Sequence, residues 1–397
     1  MFGTKMHGHH PGMDTRPIFL TGATGFVGME LLARYLERTD RTVYALVRGS
    51  DNDDAQRRLE ETIARVLPDP ASYSGRAVAV RGDVTQPGLG MPPRGRAALA
   101  GQIGEIVHAA ASVSFALPLA ESRQINVTGT EQVLRLAELA QRRGDGLARL
   151  SYISTAYVAG DHRGTFGEDE LDIGQRFRNS YERSKFEAEQ RVRAHRDVLP
   201  IQIFRPSIVV GEADTGWTPA FNVIYWPLRA FARGTYKAIP ARRSAPVDVV
   251  PVSYVADAIF ELSRREAPSG TTYNLAAGDR ASTVSELLDL SSAYFGKRKP
   301  RVVPPRAYGR IAHPLLMRTG DDRRRRALDA SEIFFPYFAM RIRYDTDGTR
   351  TALAGTGVRV PALRDYFERL MDYAVAADWG RAQPDLQRRA TASLTAA

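Results

Sequence analysis

Short apolar runs alternate with longer stretches whose apolar positions return at helical spacing. The runs Ile18–Leu20, Thr42–Arg48, Ala77–Arg81, Ile106–His108, Ala148–Ser154 and Ile201–Arg205 read as strands. Runs this short, without polar alternation, suit strands buried on both faces. Helical periods lie between them, one over Phe26–Leu36 and a longer one that Asn126–Thr130 opens and that reaches about Gln141. The alternation lasts for more than two hundred residues, and it predicts an α/β fold with a doubly wound parallel sheet.

Beyond Gly211 the pattern changes. Trp217, Phe221, Tyr225, Trp226, Leu228 and Phe231 crowd one stretch, which suits both a helix packed on the core and the wall of an apolar channel. Asp248–Asp257 returns to the core as a strand and a helix start, and Tyr273–Leu275 as a further short strand. From about Thr283 the chain turns helical and basic, with its last helix expected over Pro361–Ala377. These shifts divide the chain into a loose extension over 1–15, an α/β domain over 16–280 with an excursion near 212–245, a smaller and mostly helical domain over 281–382, and a flexible tail over 383–397.

The first strand feeds straight into Thr21-Gly-Ala-Thr-Gly-Phe-Val-Gly28 and then into a helix. Strand, glycine turn and helix in that order form a dinucleotide site: the glycines allow a tight turn, and the free amides at the helix start attract a pyrophosphate. The second strand ends in Arg48 with no acid beside it. A carboxylate there would take the ribose hydroxyls of NADH, whereas a guanidinium grips a 2′-phosphate, so NADPH is favoured. Arg57 and Arg58 open the next helix, either as a second grip or as a solvated face. Asp83 follows the third strand, placed either to accept from an adenine amino group or to form a turn. The small residues Ala109-Ala-Ala111 after the fourth strand allow close backbone approach, and His108 reads as packed rather than catalytic.

Composition removes several classes. None of the 397 residues is a cysteine, so disulfides, a cysteine nucleophile and zinc–thiolate sites are excluded. The net charge of +10, from 55 basic and 45 acidic residues, suits an anionic ligand: a phosphorylated cofactor, coenzyme A phosphates, an acidic carrier protein or a membrane surface. Basic residues are dispersed and no nucleic-acid motif occurs, so no nucleic-acid partner is expected. No apolar run approaches the roughly 20 residues of a membrane span, and a soluble cytoplasmic protein is expected. His7, His9 and His10 fall in the loose extension, and no metal site is predicted.

The fifth strand ends at Ser154-Thr155, and a helix with Tyr181 and Lys185 follows. Residues four apart share a helix face. A phenol with a pKa near 10 donates its proton poorly at neutral pH; a lysine one turn away favours the phenolate and brings the group toward working range. Thr155 at a sheet's carboxyl end would bind the substrate oxygen, with Ser154 as the rival that strand alternation turns away.

These pieces, together with Gly82-Asp-Val-Thr85, Tyr152–Val158 and Arg205-Pro-Ser-Ile-Val-Val-Gly211, occur in the order of an extended short-chain dehydrogenase/reductase, which the chain resembles over about residues 16–280. Ala45-Leu-Val-Arg48, Ser154-Thr-Ala-Tyr157 and Val247–Asp257 are similar to its fatty acyl-CoA reductase and carrier-protein thioester reductase branch. The resemblance implies a Rossmann-type domain with a smaller C-terminal substrate domain, a catalytic set of Thr155, Tyr181 and Lys185, and Lys185 on the nicotinamide ribose. Gly22, Thr24, Gly25, Phe26, Val27, Arg48, Arg58, Asp83, Val84, Ala109, Ala110, Pro206 and Ile208, with Tyr181 and Lys185, would line NADPH. The implied substrate is an acyl thioester of coenzyme A or of an acyl carrier protein, reduced to an aldehyde or on to an alcohol. Three alternatives use the same scaffold: a ketone or hydroxysteroid oxidoreductase, a nucleotide-sugar epimerase or dehydratase, and a non-enzymatic NADP-binding regulator. The arginine run Arg323–Arg326 and the aromatic cluster Phe334–Phe338 are candidates for peripheral membrane contact.

Overall fold

Ile18, Phe19, Leu20 and Thr21 have no exposed surface, which only a central strand allows. They form β1 of a computed structural model that describes residues 14–143, 145–221, 223–305 and 335–382. The other strands of the main sheet are β2 (Val43–Val47), β3 (Ala77–Arg81), β4 (Glu105–His108), β5 (Arg149–Ile153), β6 (Ile201–Pro206) and β7 (Thr271–Leu275). The seven strands run in the order β7-β6-β5-β4-β1-β2-β3, every pair parallel. The predicted strands sit where their apolar runs placed them, within a residue or two at each end. Chain order reverses between β1 and β4, which opens a crevice beyond the carboxyl ends of these strands.

Two apolar layers cover the sheet. Helix α1 (Phe26–Arg38) and the helices Asn52–Val66 and Val252–Ser263 bury Leu31, Leu59 and Ile259 on one face. Helices Pro93–Ala100, Gly129–Gln141 and Ser180–Arg193 bury Leu99, Leu136 and Val192 on the other. Polar caps start two of these helices: Asp51 accepts from the Asp54 amide at 2.8 Å and Asn179 from the Glu182 amide at 2.9 Å. A buried ion pair ties the layers together, with Arg205 of β6 reaching Glu189 at 2.6 Å and both side chains fully enclosed.

Two boundaries differ from the sequence reading. The long helix does not open at Asn126. It begins at Leu119, after Pro118, and runs through the π-helical turn Gln124–Thr128 into Gly129–Gln141. Such turns often mark functional sites. The expected helix Pro361–Ala377 is a 3-10 turn, Leu363–Asp365, followed by helix Phe367–Ala376. Tyr366, at φ −133° and ψ 0°, separates the two.

The excursion after Gly211 and the C-terminal part share one core, in which Tyr225, Leu228 and Phe231 meet Leu288, Tyr366 and Met371. The C-terminal part is less purely helical than expected. Short parallel ladders, Arg341–Tyr344 on Arg163–Phe166 and Arg301–Val303 on Ala238–Pro240, stitch it to the rest. Of the expected extension, Asp14 and Thr15 are described, and Asp14 pairs with Arg16 at 2.6 Å. His7, His9, His10, Arg323–Arg326 and the tail from 383 lie outside the described residues. Among the described residues, no helix is long and apolar enough to cross a membrane, and no cluster of potential metal ligands occurs.

Candidate active site

The glycine loop is shaped to receive an anion. Gly22 has φ +78°, and a Cβ there would stand 2.6 Å from the Ala110 amide nitrogen. A Cβ on Gly28 would sit 1.9 Å from the Gly22 carbonyl oxygen, so α1 lies directly on the turn. No side chain caps α1. Its first intrahelical bond is Met29 N to Gly25 O at 2.8 Å, which leaves the amides of Phe26, Val27 and Gly28 without helical partners. Thr24 and Gly25 are exposed in front of them. A pyrophosphate fits this cradle, with the helix dipole behind it.

The remaining cofactor candidates surround the same crevice. Ala109 N donates to Thr21 O at 3.1 Å, and Ala110 N to Thr21 Oγ1 at 3.3 Å, bringing the small residues after β4 against the loop. His108 bonds Thr21 Oγ1 at 2.7 Å and Thr130 Oγ1 at 3.0 Å. Burial, reinforced by Lys185, lowers its pKa to about 3, so it is a neutral packing residue, as expected. At the end of β2, Arg58 Nη1 donates to the Arg48 carbonyl at 2.6 Å, which gathers the two arginines. Arg57 faces away and pairs with Asp54 and Glu61 on the exposed side of its helix. Asp83 Oδ1 takes the amide and hydroxyl of Thr85, both at 2.8 Å, so the turn role is real. Val84 is buried against Gly129.

Thr155 and Tyr181 meet at the carboxyl end of β5. Thr155 is buried and caps the turn Ala156–Ala159, accepting from Tyr157 N at 3.2 Å. It also donates to the Pro206 carbonyl at 3.4 Å. Its hydroxyl lies near the phenol of Tyr181 and favours the phenolate. Burial pushes the Tyr181 pKa up to about 12, against the opposing effect of that hydroxyl. Ser154 points the other way, as strand alternation implies, and donates to Glu189 at 2.6 Å. Lys185 is buried, and desolvation lowers its pKa to about 7 although Glu189 acts in the opposite sense. Its Nζ donates to Tyr152 Oη at 2.9 Å and to the Ile153 carbonyl at 2.8 Å. The lowering of Tyr181 expected from Lys185 is therefore absent here, where burial dominates.

A largely apolar pocket is lined by Tyr157, two residues on from Thr155, with Ile208, Ile224, Pro227, Val247 and Tyr337, and by Asp248, whose carboxylate takes the Ala277 and Gly278 amides. Pro227 and Phe338 also border a second apolar pocket under Leu228, Phe231 and Leu288. The aromatic stretch 217–231 thus supplies both core and channel wall. Tyr337 arrives from the C-terminal part. It donates to the buried Glu182 at 2.7 Å, accepts from Asn179 Nδ2 at 2.6 Å, and stacks on Phe115, 5.4 Å between ring centroids. Phe115 in turn packs on Tyr181 at 5.6 Å. Phe335 and Tyr337 are buried, Phe338 is half-buried and Pro336 exposed.

The NAD-binding family model described as male sterility protein matches residues 20–259. The chain belongs to this family. It is an extended short-chain dehydrogenase/reductase of the fatty acyl-CoA and thioester reductase branch, as its motifs imply. The chain is similar to an isonitrile lipopeptide synthase of Streptomyces coeruleorubidus, 30% identical over 93% of this chain and 25% of that one. It is also similar to a carboxylic acid reductase of Mycobacterium marinum, 29% identical over 66% of this chain and 24% of that one. It therefore spans about a quarter of the length of these relatives. The terminal R domain of the myxalamid PKS-NRPS biosynthetic pathway superposes with a TM-score of 0.80 at 28% identity, covering 94% of both chains.

Three contributors to this family member's site escape sequence reasoning. Tyr152 holds Lys185, yet reads as one more apolar strand residue. Asn126 lies in the π turn, where its amide takes Ser112 N at 2.8 Å and gives to Ser184 Oγ at 2.9 Å. In the sequence Asn126 reads as the opening of a helix and as part of the family's run Asn126–Thr130, without a role at the site. Tyr337 is 155 residues from Glu182, and its cluster looked like a surface feature.

Proposed function

We propose that the chain is an NADPH-dependent reductase that converts an acyl thioester to an aldehyde and a free thiol. The observation that carries this reading is that Thr155 caps the turn bearing Tyr157, which walls a largely apolar pocket, while Tyr181 packs on Phe115 against Tyr337 of the same wall. Such a pocket suits a carbonyl at the end of an apolar chain and offers little to a sugar nucleotide. The similarity to a terminal R domain and to a carboxylic acid reductase supports the same chemistry.

In this reading the amides at the start of α1 hold the pyrophosphate, Arg48 and Arg58 the 2′-phosphate, and Lys185 the nicotinamide ribose. Bound NADPH supplies the hydride. Thr155 and Tyr181 donate hydrogen bonds to the thioester carbonyl oxygen, where negative charge develops. Tyr181, with its pKa about 12, stays protonated at neutral pH and has a proton to give to that oxygen. The product of that step is a hemithioacetal. The resulting phenolate takes the proton back as the carbon–sulfur bond breaks, and the thiolate leaves with a proton from solvent. No acyl-enzyme forms on sulfur, because the sequence contains no cysteine.

The test is loss of reduced-nicotinamide absorbance with a long-chain acyl-CoA, the same acyl group on a carrier protein, and the matching aldehyde in separate reactions. Consumption with either thioester is expected, and consumption with the aldehyde as well would give an alcohol product. Tight NADPH binding without turnover of either thioester would overturn the reading in favour of a ketone substrate.

A further inference from the structure

The parallel ribbon of Arg163–Phe166 and Arg341–Tyr344 sets Arg163 directly opposite Arg341, and Thr165 opposite Arg343. Phe166, Ile342 and Tyr344 bury one face in the cluster around Tyr157. Arg163, Arg341 and Arg343 occupy the exposed face. Like charges directly opposite across a ladder are unfavourable, and Arg242 lines the same groove as Arg163 and Arg341. The other charged groups there are engaged. Asp161 pairs with Arg176 at 3.1 Å, and Arg178 with Glu182 at 3.2 Å. Arg343 reaches Asp279 only at 3.6 Å. Among the described residues, no carboxylate lies within ion-pair distance of Arg163, Arg242 or Arg341.

The groove neighbours the apolar pocket. Met340 borders both, and Pro246 borders the pocket and the extension of the groove toward Arg343. One ligand with an apolar end and an anionic end, separated by a neutral arm, would fill them together. We propose that Arg163, Arg242 and Arg341 form a subsite for the phosphate of a phosphopantetheine arm whose acyl group occupies the apolar pocket. Guanidinium forks match phosphate oxygens, and a bound phosphate neutralises the opposed pair. The inference rests on the thioester reading and adds the part of the substrate that the groove selects. Coenzyme A and a carrier protein share this phosphate.

Rates are compared for S-acyl-pantetheine, S-acyl-4′-phosphopantetheine and the acyl-CoA, all with one acyl group, in the wild type and in R163S, R242S and the R242S/R341S double variant. The wild type should prefer the phosphorylated arm by about tenfold or more in kcat/KM. In the double variant that ratio should collapse toward one, mainly through KM, with lysine variants retaining part of it. Each ratio is taken on one sample and does not depend on how much of it is folded. No preference in the wild type, or the same preference in the variants, overturns the subsite. A further gain for acyl-CoA that survives in the variants would locate the adenosine phosphates elsewhere. Calorimetry of 4′-phosphopantetheine against pantetheine, with NADPH bound, reads the subsite without turnover. Weaker binding in the double variant supports it even if no thioester is reduced, and equal binding removes it.

Discussion

Lys185 gives its ammonium to the phenol of Tyr152 at 2.9 Å and to the Ile153 carbonyl at 2.8 Å, although Tyr181 stands one helical turn away on its own helix. The same ammonium lies 4.5 Å from the centre of the Tyr152 ring. The lysine is thus held against β5 by neutral partners, in a place where charge is costly.

Its stability signature follows from that cost. The folded pKa of about 7 lies below the ordinary 10.5. Between these values the unfolded chain binds more protons than the folded one, so wild type gains stability as pH rises through that window. Lys185→Met, which has no charge to bury, should melt at or above the wild type at pH 6 and lose that advantage by pH 10. Melting temperatures across the range check it, and a constant difference contradicts it.

Tyr181→Phe removes the proton donor while keeping the ring against Phe115. NADPH should still bind, and turnover should fall about 10²–10⁴-fold. Thr155→Val should cost about 10²–10³-fold in kcat. Unimpaired turnover in Tyr181→Phe would dismantle the proposed mechanism.

Arg48→Ala tests the phosphate grip at the end of β2. The Kd for NADPH should rise about tenfold or more, and that for NADH should change little. Fluorescence titration with both nucleotides measures this, and equal losses would remove Arg48 from the 2′-phosphate.

Glu189 accepts from Arg205, Arg193 and Ser154 with no exposed surface of its own. Glu189→Gln leaves a buried guanidinium without its charge partner and should cost about 3–5 kcal/mol in denaturant unfolding. Glu189→Leu combined with Arg205→Met should cost less than Glu189→Gln alone. A single variant within about 1 kcal/mol of wild type would show that the interior there is wetter than it looks.

The sheet was readable because a strand buried on both faces leaves an uninterrupted apolar run. The nucleotide loop was readable because only glycine fits where a Cβ would strike Ala110 or the Gly22 carbonyl. The opposite orientations of Ser154 and Thr155 followed from strand alternation. Local rules fail where contacts are distant or the helix is irregular. The π turn at Asn126 interrupts the helical period it sits in, and Tyr152 serves Lys185 through an orientation that only packing sets. The arginine ribbon depends on a register between strands some 180 residues apart, Arg163 on Arg341, which no local pattern encodes.

Tyr337 also carries a consequence for the order in which the molecule is made. Every strand of the main sheet, and Thr155, Tyr181 and Lys185, precede residue 276 in the chain. The hydroxyl that satisfies buried Glu182 at the start of the catalytic helix arrives later. The helix that carries Tyr181 and Lys185 thus has its buried carboxylate satisfied in part by a segment more than 150 residues further along the chain.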